Sequence, residues 1–263
     1  MIDESFKIVF NEKVTHDTFL MGLRSPEIAI QVRPGQFVMI RVLPGCDPLL
    51  RRPFSICGVQ EDDVLLILYR VAGRGTGIMS GKRKGEKISV LGPLGHGFEL
   101  PEKGRTSILV AGGMGVAPLL FLSRSIKAED LEFMIGFKSA GEIKIINALN
   151  DRGKEVSIAT DDGTSGHAGP VTELFELYLN QHRDKAVFSV FSCGPISMLQ
   201  KVKNLALDQG IPCQISLETS MACGIGACQG CAVRSGQGEG PSFYHVCKDG
   251  PVFPASSIDW SSL

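Results

Sequence analysis

Four cysteines near the C-terminal end constrain this chain more than any other feature. Cys223, Cys228, Cys231 and Cys247 follow the spacing Cys-x4-Cys-x2-Cys-x15-Cys, inside the runs MACGIGACQGCAV and HVCKDGPVF. Three of the sulfurs come from nine consecutive residues, so the backbone there has to bend around whatever they hold. Gly224, Gly226, Ala227 and Gly230 remove the side chains that would block that bend, and glycine also takes positive φ angles. A loop of this kind points backbone N–H groups at the sulfurs, and such bonds help to set a cluster's reduction potential. The spacing matches the plant-type [2Fe–2S] ligand pattern. Four thiolates also suit a tetrahedral zinc ion, although zinc sites usually arrive as two separate cysteine pairs. The first alternative makes the chain a one-electron carrier. The second makes it a zinc-stabilised binding module with no redox role.

The chain has 263 residues, 43% of them hydrophobic, enough for two domains and a small third. Its formal net charge of −1 offers no basic field to nucleic acid. No apolar run approaches the roughly 18 residues a membrane helix needs. The start, MIDESFKIVF, carries acids early and lacks the basic flank of a signal peptide. The expectation is a cytoplasmic chain, where thiols stay reduced and clustered cysteines serve as metal ligands.

Strand signals fill the first hundred residues: Phe6–Val14, Phe37–Val42, Val64–Val71 and Lys87–Leu91, separated by the turn pairs Pro34-Gly35, Pro44-Gly45 and Gly92-Pro93. Helical periodicity is nearly absent, which predicts a small antiparallel barrel over residues 1–101. After Pro101 the character changes. Ser107–Ala111 is a short apolar strand, followed by a glycine turn and a helix over Val116–Lys127. The unit recurs with strand Leu131–Phe137, a helix near Glu142–Asn150, strand Val156–Thr160, helix Val171–Gln181, strand Ala186–Ser192, helix Ile196–Gln209 and strand Gln214–Leu217. Such alternation predicts a parallel sheet with right-handed crossovers over residues 102–217. Residues 218–263 show no regular element, and a metal cluster would supply the stability that so short a segment lacks.

Three further groups carry chemistry. In Arg51-Arg52-Pro53-Phe54-Ser55, an arginine can pair with a pyrophosphate, the aromatic can pack on an apolar ring, and the serine can hydrogen-bond a ring heteroatom. Tyr69-Arg70-Val71 runs into Gly73-Arg74-Gly75-Thr76-Gly77, a glycine-rich loop opening a short helix, which reads as a phosphate cradle. Both lie in the expected barrel and both need the same ligand, a dinucleotide flavin. Gly112-Gly113-Met114-Gly115 follows strand Ser107–Ala111 directly and resembles a dinucleotide-binding turn without being GxGxxG. Ligands of open α/β sheets sit beyond the carboxyl ends of the strands. There Asp161 can bond a ribose, while Cys193, Gly194 and Pro195 can border a nicotinamide; Cys193 equally suits a buried small hydrophobe. Asp161 and Asp162 favour a free ribose, and thus NAD, whereas Lys138 and Ser139 suit the 2′-phosphate of NADP. The five histidines form no usable spacing, and Cys46, Cys57 and Cys213 read as structural.

In order, RRPFSI, GRGTG, AGGMGVAPLL, SCGP and the cysteine segment resemble the ferredoxin–NADP reductase superfamily over essentially the whole chain. The ending, LETSMACGIGACQGCAV with VCKDGPVF, is similar to that of the electron-transfer subunits of dihydroorotate dehydrogenase B. The resemblance implies an FAD-binding barrel, an NAD-binding parallel-sheet domain and a C-terminal [2Fe–2S] segment. It implies FAD contacts from Arg52, Pro53, Phe54, Ser55, Tyr69, Arg70, Val71, Gly75 and Thr76, and cluster ligation by Cys223, Cys228, Cys231 and Cys247. Gly112, Gly113, Gly115, Asp161, Cys193, Gly194 and Pro195 become the NAD contacts, with Ser55 and Cys193 as the candidate catalytic residues. It further implies an FMN-containing catalytic partner that oxidises dihydroorotate, a heterotetramer with two of each subunit, and a role in making pyrimidines. A reductase subunit of a hydrogenase or another ferredoxin-dependent system would keep the cofactors and change the partner.

Overall fold

The computed structural model describes residues 1–149, 155–182, 187–236 and 241–263. Its first six strands are β1 (Ile2–Lys13), β2 (Thr18–Arg24), β3 (Phe37–Arg41), β4 (Arg52–Gln60), β5 (Val64–Arg70) and β6 (Lys87–Leu94). They close into an antiparallel barrel in the order β1-β2-β5-β4-β3-β6, with short helices α1 (Pro26–Ala29) and α2 (Arg74–Ser80) in two of the connections. The run VLLILYR in β5 shows why it closes. Leu65, Ile67 and Tyr69 face the barrel core with Ile8, Met21 and Ile56. Val64, Leu66 and Leu68 face outward, yet they are buried in a second core with Leu119 and Leu122. A strand apolar on both faces needs cover on both, and here the second domain supplies it.

That second domain alternates β7 (Thr106–Gly112), α3 (Val116–Ser123), β8 (Leu131–Phe137), α4 (Lys144–Leu149), β9 (Ser157–Thr160), β10 (His167–Ala168), α5 (Val171–Gln181), β11 (Phe188–Cys193), α6 (Ile196–Leu207) and β12 (Cys213–Ser216). The expected helix end at Asn150 and strand start at Ala186 lie outside the described residues. The helix expected over Val116–Lys127 stops at Ser123, because the last residues turn back through Ser125 and Ile126 N–H bonds to Leu122 and Ser123.

The C-terminal segment departs from the expectation of irregular structure. It forms a hairpin of β13 (Ala232–Arg234) and β14 (Phe243–His245), then α7 (Val246–Asp249) and β15 (Val252–Pro254). β15 adds itself to the neighbouring domain, giving a seven-stranded sheet in the order β10-β9-β8-β7-β11-β12-β15. Only this last pairing, Ile215 opposite Phe253, is antiparallel. The segment also leans on the barrel: Cys231, Val246 and Cys247 share one core with Phe37, Met39 and Leu94. Among the described residues no helix is long and apolar enough to cross a membrane.

Candidate cofactor-binding site

Antiparallel pairing sets the start of β4 beside the end of β5. Pro53, Phe54 and Ser55 therefore meet Leu68, Tyr69 and Arg70 around a cavity of about 230 Å³. Phe54 stands edge-on to Tyr69, ring centres 6.0 Å apart. The Tyr69 hydroxyl donates to Asn11 Oδ1 at 2.8 Å, and burial pushes its pKa up to about 12, with the Asn11 bond pulling the other way. The far wall comes from Met114 and Ala117 of the glycine turn and α3, from Ser216 at the end of β12, and from Leu217, Glu218, Thr219 and Met221 after it. A mostly apolar slot with a few polar groups suits a flat heterocycle.

Arg52 lies outside that slot, against α2. A Cβ on Gly75 would collide with its guanidinium, so the arginine and the glycine-rich turn form one cationic corner, as two ends of a pyrophosphate site require. Thr76 Oγ1 is engaged within the turn, accepting from the Ala72 and Gly73 N–H groups at 2.9 and 3.2 Å. The Val71 N–H donates to Asp17 O at 2.8 Å. Arg70 reaches across the domains: it donates to Glu142 Oε1 at 2.9 Å and lies 3.3 Å from Asp17 Oδ2.

The larger cavity, about 660 Å³, opens at the carboxyl ends of the parallel strands. Gly112, Gly113 and Gly115 after β7, Asp161 after β9, and Gly194 and Pro195 after β11 all line it. Gly115 has no room for a side chain, since a Cβ would strike the carbonyl of Cys193, and Gly113 takes φ +52°. The glycines thus let the turn pass close under the neighbouring strand end. Cys193 itself is buried and borders neither cavity; burial, then the nearby Glu218 carboxylate, raises its thiol pKa. Lys138 lines the cavity with Asp161, while Ser139 and Asp162 do not. Thr164 holds the Asp162 carboxylate within its own turn, donating from N–H and O–H at 3.0 and 2.6 Å, which lowers its pKa. Cys57 and Cys213 are buried as a structural reading requires, but Cys46 is exposed and packs no core, because it lies on the loop between β3 and β4.

The four spaced cysteines gather along one loop and the start of α7, where Cys231 Sγ lies 3.2 Å from Cys247 Sγ. Backbone N–H groups surround them. Ile225 and Cys228 donate to Cys223 Sγ, both at 3.4 Å, Gly226 to Cys247 Sγ at 3.1 Å, and Cys247 to Cys231 Sγ at 3.4 Å. Burial works against the Cys223 thiolate, yet these donors outweigh it and lower its pKa to about 6. At Cys247 burial and the adjoining Cys231 thiol raise the pKa to about 12. Gly224 and Gly226 take φ +75° and +80°, and a Cβ on Gly224 would sit 2.5 Å from Met39 Cγ. The loop is therefore seated on β3, where Met39 pairs with Pro53 of the smaller cavity's wall. Four sulfurs in one segment, met by backbone N–H groups, fit an iron–sulfur cluster.

Comparison with known proteins agrees. Residues 218–259 match the model of the iron–sulfur cluster binding domain of dihydroorotate dehydrogenase B. The chain is 36% identical over 258 residues to the NAD(+) dihydroorotate dehydrogenase B electron transfer subunit of Desulforamulus reducens, covering 97% of each. It is 40% identical over 227 residues to that of Caldanaerobacter subterraneus subsp. tengcongensis, covering 86% of each. The chain belongs to this family of electron-transfer subunits. A solved NADH-dependent reduced ferredoxin–NADP oxidoreductase, studied for flavin-based electron bifurcation, superposes with a TM-score of 0.84 at 26% identity, covering 98% of this chain and 91% of that one.

Within this member of the family, three residues border both cavities: Arg70, Met114 and Glu218. The last two were not singled out from the sequence, nor were Thr219 and Met221. Glu218 opens onto the cavities while protein surrounds it, and that burial raises its pKa. A signal was available. Glu218 follows β12 directly, at the same carboxyl edge of the sheet that drew attention to Asp161 and Gly194.

Proposed function

We propose that this chain is the electron-transfer subunit of an NAD⁺-linked dihydroorotate dehydrogenase, serving pyrimidine synthesis in the cytoplasm. It pairs with an FMN-containing catalytic subunit, two of each in a heterotetramer. Bound to this chain, a [2Fe–2S] centre and FAD would take up single electrons from that partner and supply them in pairs, with a proton, as hydride to NAD⁺. The chain's own residues hold and orient. Cys223, Cys228, Cys231 and Cys247 would hold the cluster. Arg52 and the Gly75 turn, with Arg70, Val71 and Thr76 shaping it, take the FAD pyrophosphate. Pro53, Phe54 and Tyr69 clasp the flavin ring, with Ser55 bonding a heteroatom. Gly112, Gly113 and Gly115 admit the NAD⁺ pyrophosphate, Asp161 holds a ribose hydroxyl, and Gly194 and Pro195 border the nicotinamide. Cys193 acts from behind that wall, its carbonyl seating Gly115.

The observation that carries this reading is the shared border. Arg70, Met114 and Glu218 line both cavities, so ligands bound in the two would be neighbours, and Met221 of the smaller cavity stands two residues from Cys223. Protein purified without air is expected to show flavin and iron–sulfur absorption and to oxidise NADH with an artificial acceptor. It is expected to leave dihydroorotate untouched until the partner is added. Dihydroorotate turnover by the isolated chain would refute the division of labour. A native partner of different activity would favour another redox complex.

A further inference from the structure

We propose that Thr219 is a flavin-binding residue whose hydroxyl shares a hydrogen bond with a heteroatom of the isoalloxazine ring. The inference rests on the reading that this ring occupies the 230 Å³ cavity.

Four side-chain polar atoms are sealed from solvent without a hydrogen-bond partner among the described residues: Ser25 Oγ, Arg70 Nε, Ser107 Oγ and Thr219 Oγ1. Arg70 Nε has the Asp17 carboxylate 3.3 Å away. Ser25 and Ser107 border neither cavity. Thr219 alone of the three hydroxyls lines one, and it is the flavin cavity. A buried hydroxyl left unpaired is costly, so native structures nearly always supply a partner.

The surrounding wall gives it no partner: Ser55, Arg70, Ser216 and Glu218 line the same cavity without bonding Thr219, and the Tyr69 hydroxyl is committed to Asn11. The partner therefore comes from what fills the cavity. The flavin ring carries several acceptors and one N–H, and a threonine hydroxyl can serve either kind. Position selects the ring over the rest of FAD. Arg52 and Gly75, the phosphate corner, do not line this cavity, whereas Glu218, next in sequence to Thr219, faces the nicotinamide side as well. Thr219 also stands four residues before Cys223, so one short segment touches the ring at one end and the cluster at the other.

The test compares holoprotein with Thr219→Val, which keeps the shape and loses the hydroxyl, and with Thr219→Ser, which keeps the hydroxyl and loses the methyl. FAD dissociation constant, flavin midpoint potential and the reduced cluster's paramagnetic resonance signal are measured on each. Thr219→Val is expected to weaken FAD binding by about tenfold, the scale of one lost hydrogen bond, and to shift the flavin potential. Thr219→Ser is expected to stay within about twofold of the unaltered protein, with the cluster signal unchanged in both. Should Thr219→Val lose the cluster signal, Thr219→Ala carries the same expectation. Unaltered affinity and potential in a hydroxyl-free variant that keeps its cluster would overturn the proposal and leave the cofactor reading intact. A Thr219→Ser variant as weak as Thr219→Val would also overturn it, by assigning the effect to packing. Unaltered protein that binds no FAD would sink the cofactor reading itself.

Discussion

In the barrel, Ile8, Met21, Leu65 and Ile67 bury one another inside a closed wall of strands. In the cysteine segment, Cys231, Val233, Val246 and Cys247 are equally buried, but in a core shared with Met39 and Leu94 of the barrel and Ile215 of the sheet. One region makes its own interior; the other completes an interior that two neighbours began. Hydrophobic burial thus holds the barrel interior, whereas the segment depends on docking and, on the proposed reading, on a bound cluster. The same contrast appears in the backbone, since barrel strands bond to one another while the cysteine loop spends its N–H groups on sulfur.

Removing a ligand should strain this comparison most. Cys247→Ser takes away a buried sulfur 3.2 Å from Cys231. Iron content and cluster absorption are expected to vanish and the segment to become protease-sensitive, while the barrel keeps its circular dichroism. Collapse of the barrel along with the cluster would show that the two regions are one cooperative unit.

A smaller effect comes from two matched glycines. Gly224→Ala meets both a positive φ and Met39, whereas Gly45→Ala, at φ +91°, has open space around it. The left-handed conformation costs each about 1–2 kcal/mol, and the overpacking adds about 1–3 kcal/mol at Gly224 alone. Thermal unfolding followed by cluster absorbance should separate them by that difference. Equal losses would mean that the loop is not seated on β3.

The smallest change concerns Tyr69, whose folded pKa is raised from 10.0 to about 12. Below pH 10 the phenol is neutral in both states and its contribution is whole; above it the unfolded chain releases the proton first, so stability falls as pH climbs towards 12. Tyr69→Phe should lack that part of the alkaline loss, at a cost of about 1 kcal/mol at neutral pH for the bond to Asn11. Denaturant midpoints on either side of pH 10 would measure it. Parallel decline in both proteins would place the phenol in solvent.

Much of this arrangement was legible in the residues, where the signal was local. The apolar strands β7, β8 and β11 alternate with helices, and Cys231 and Cys247 meet at 3.2 Å. β2 escaped notice because TFLMGLR has no clean alternation: four successive residues are buried, and Gly22 makes way for the Phe10 ring. β15 escaped because three residues ending in proline carry no strand pattern; only its pairing with β12 makes it one. Cys193 was read as a cavity residue because it ends a strand, but its side chain points into the core and leaves the lining to Gly194 and Pro195.

The chain by itself determined which chemistry is present: four sulfurs at metal-binding intervals, glycines where phosphates can approach, and an order of strands and helices that admits two folded domains. Tertiary structure decided what meets what. It joined Arg52 to Gly75, set Met114 and Glu218 on a common border and placed Thr219 on the wall of the smaller cavity. The physical reason is one of range. Spacing and periodicity act over a few residues, whereas a cavity is closed by strand ends up to about 180 positions apart, brought together only when the sheet and barrel share a core.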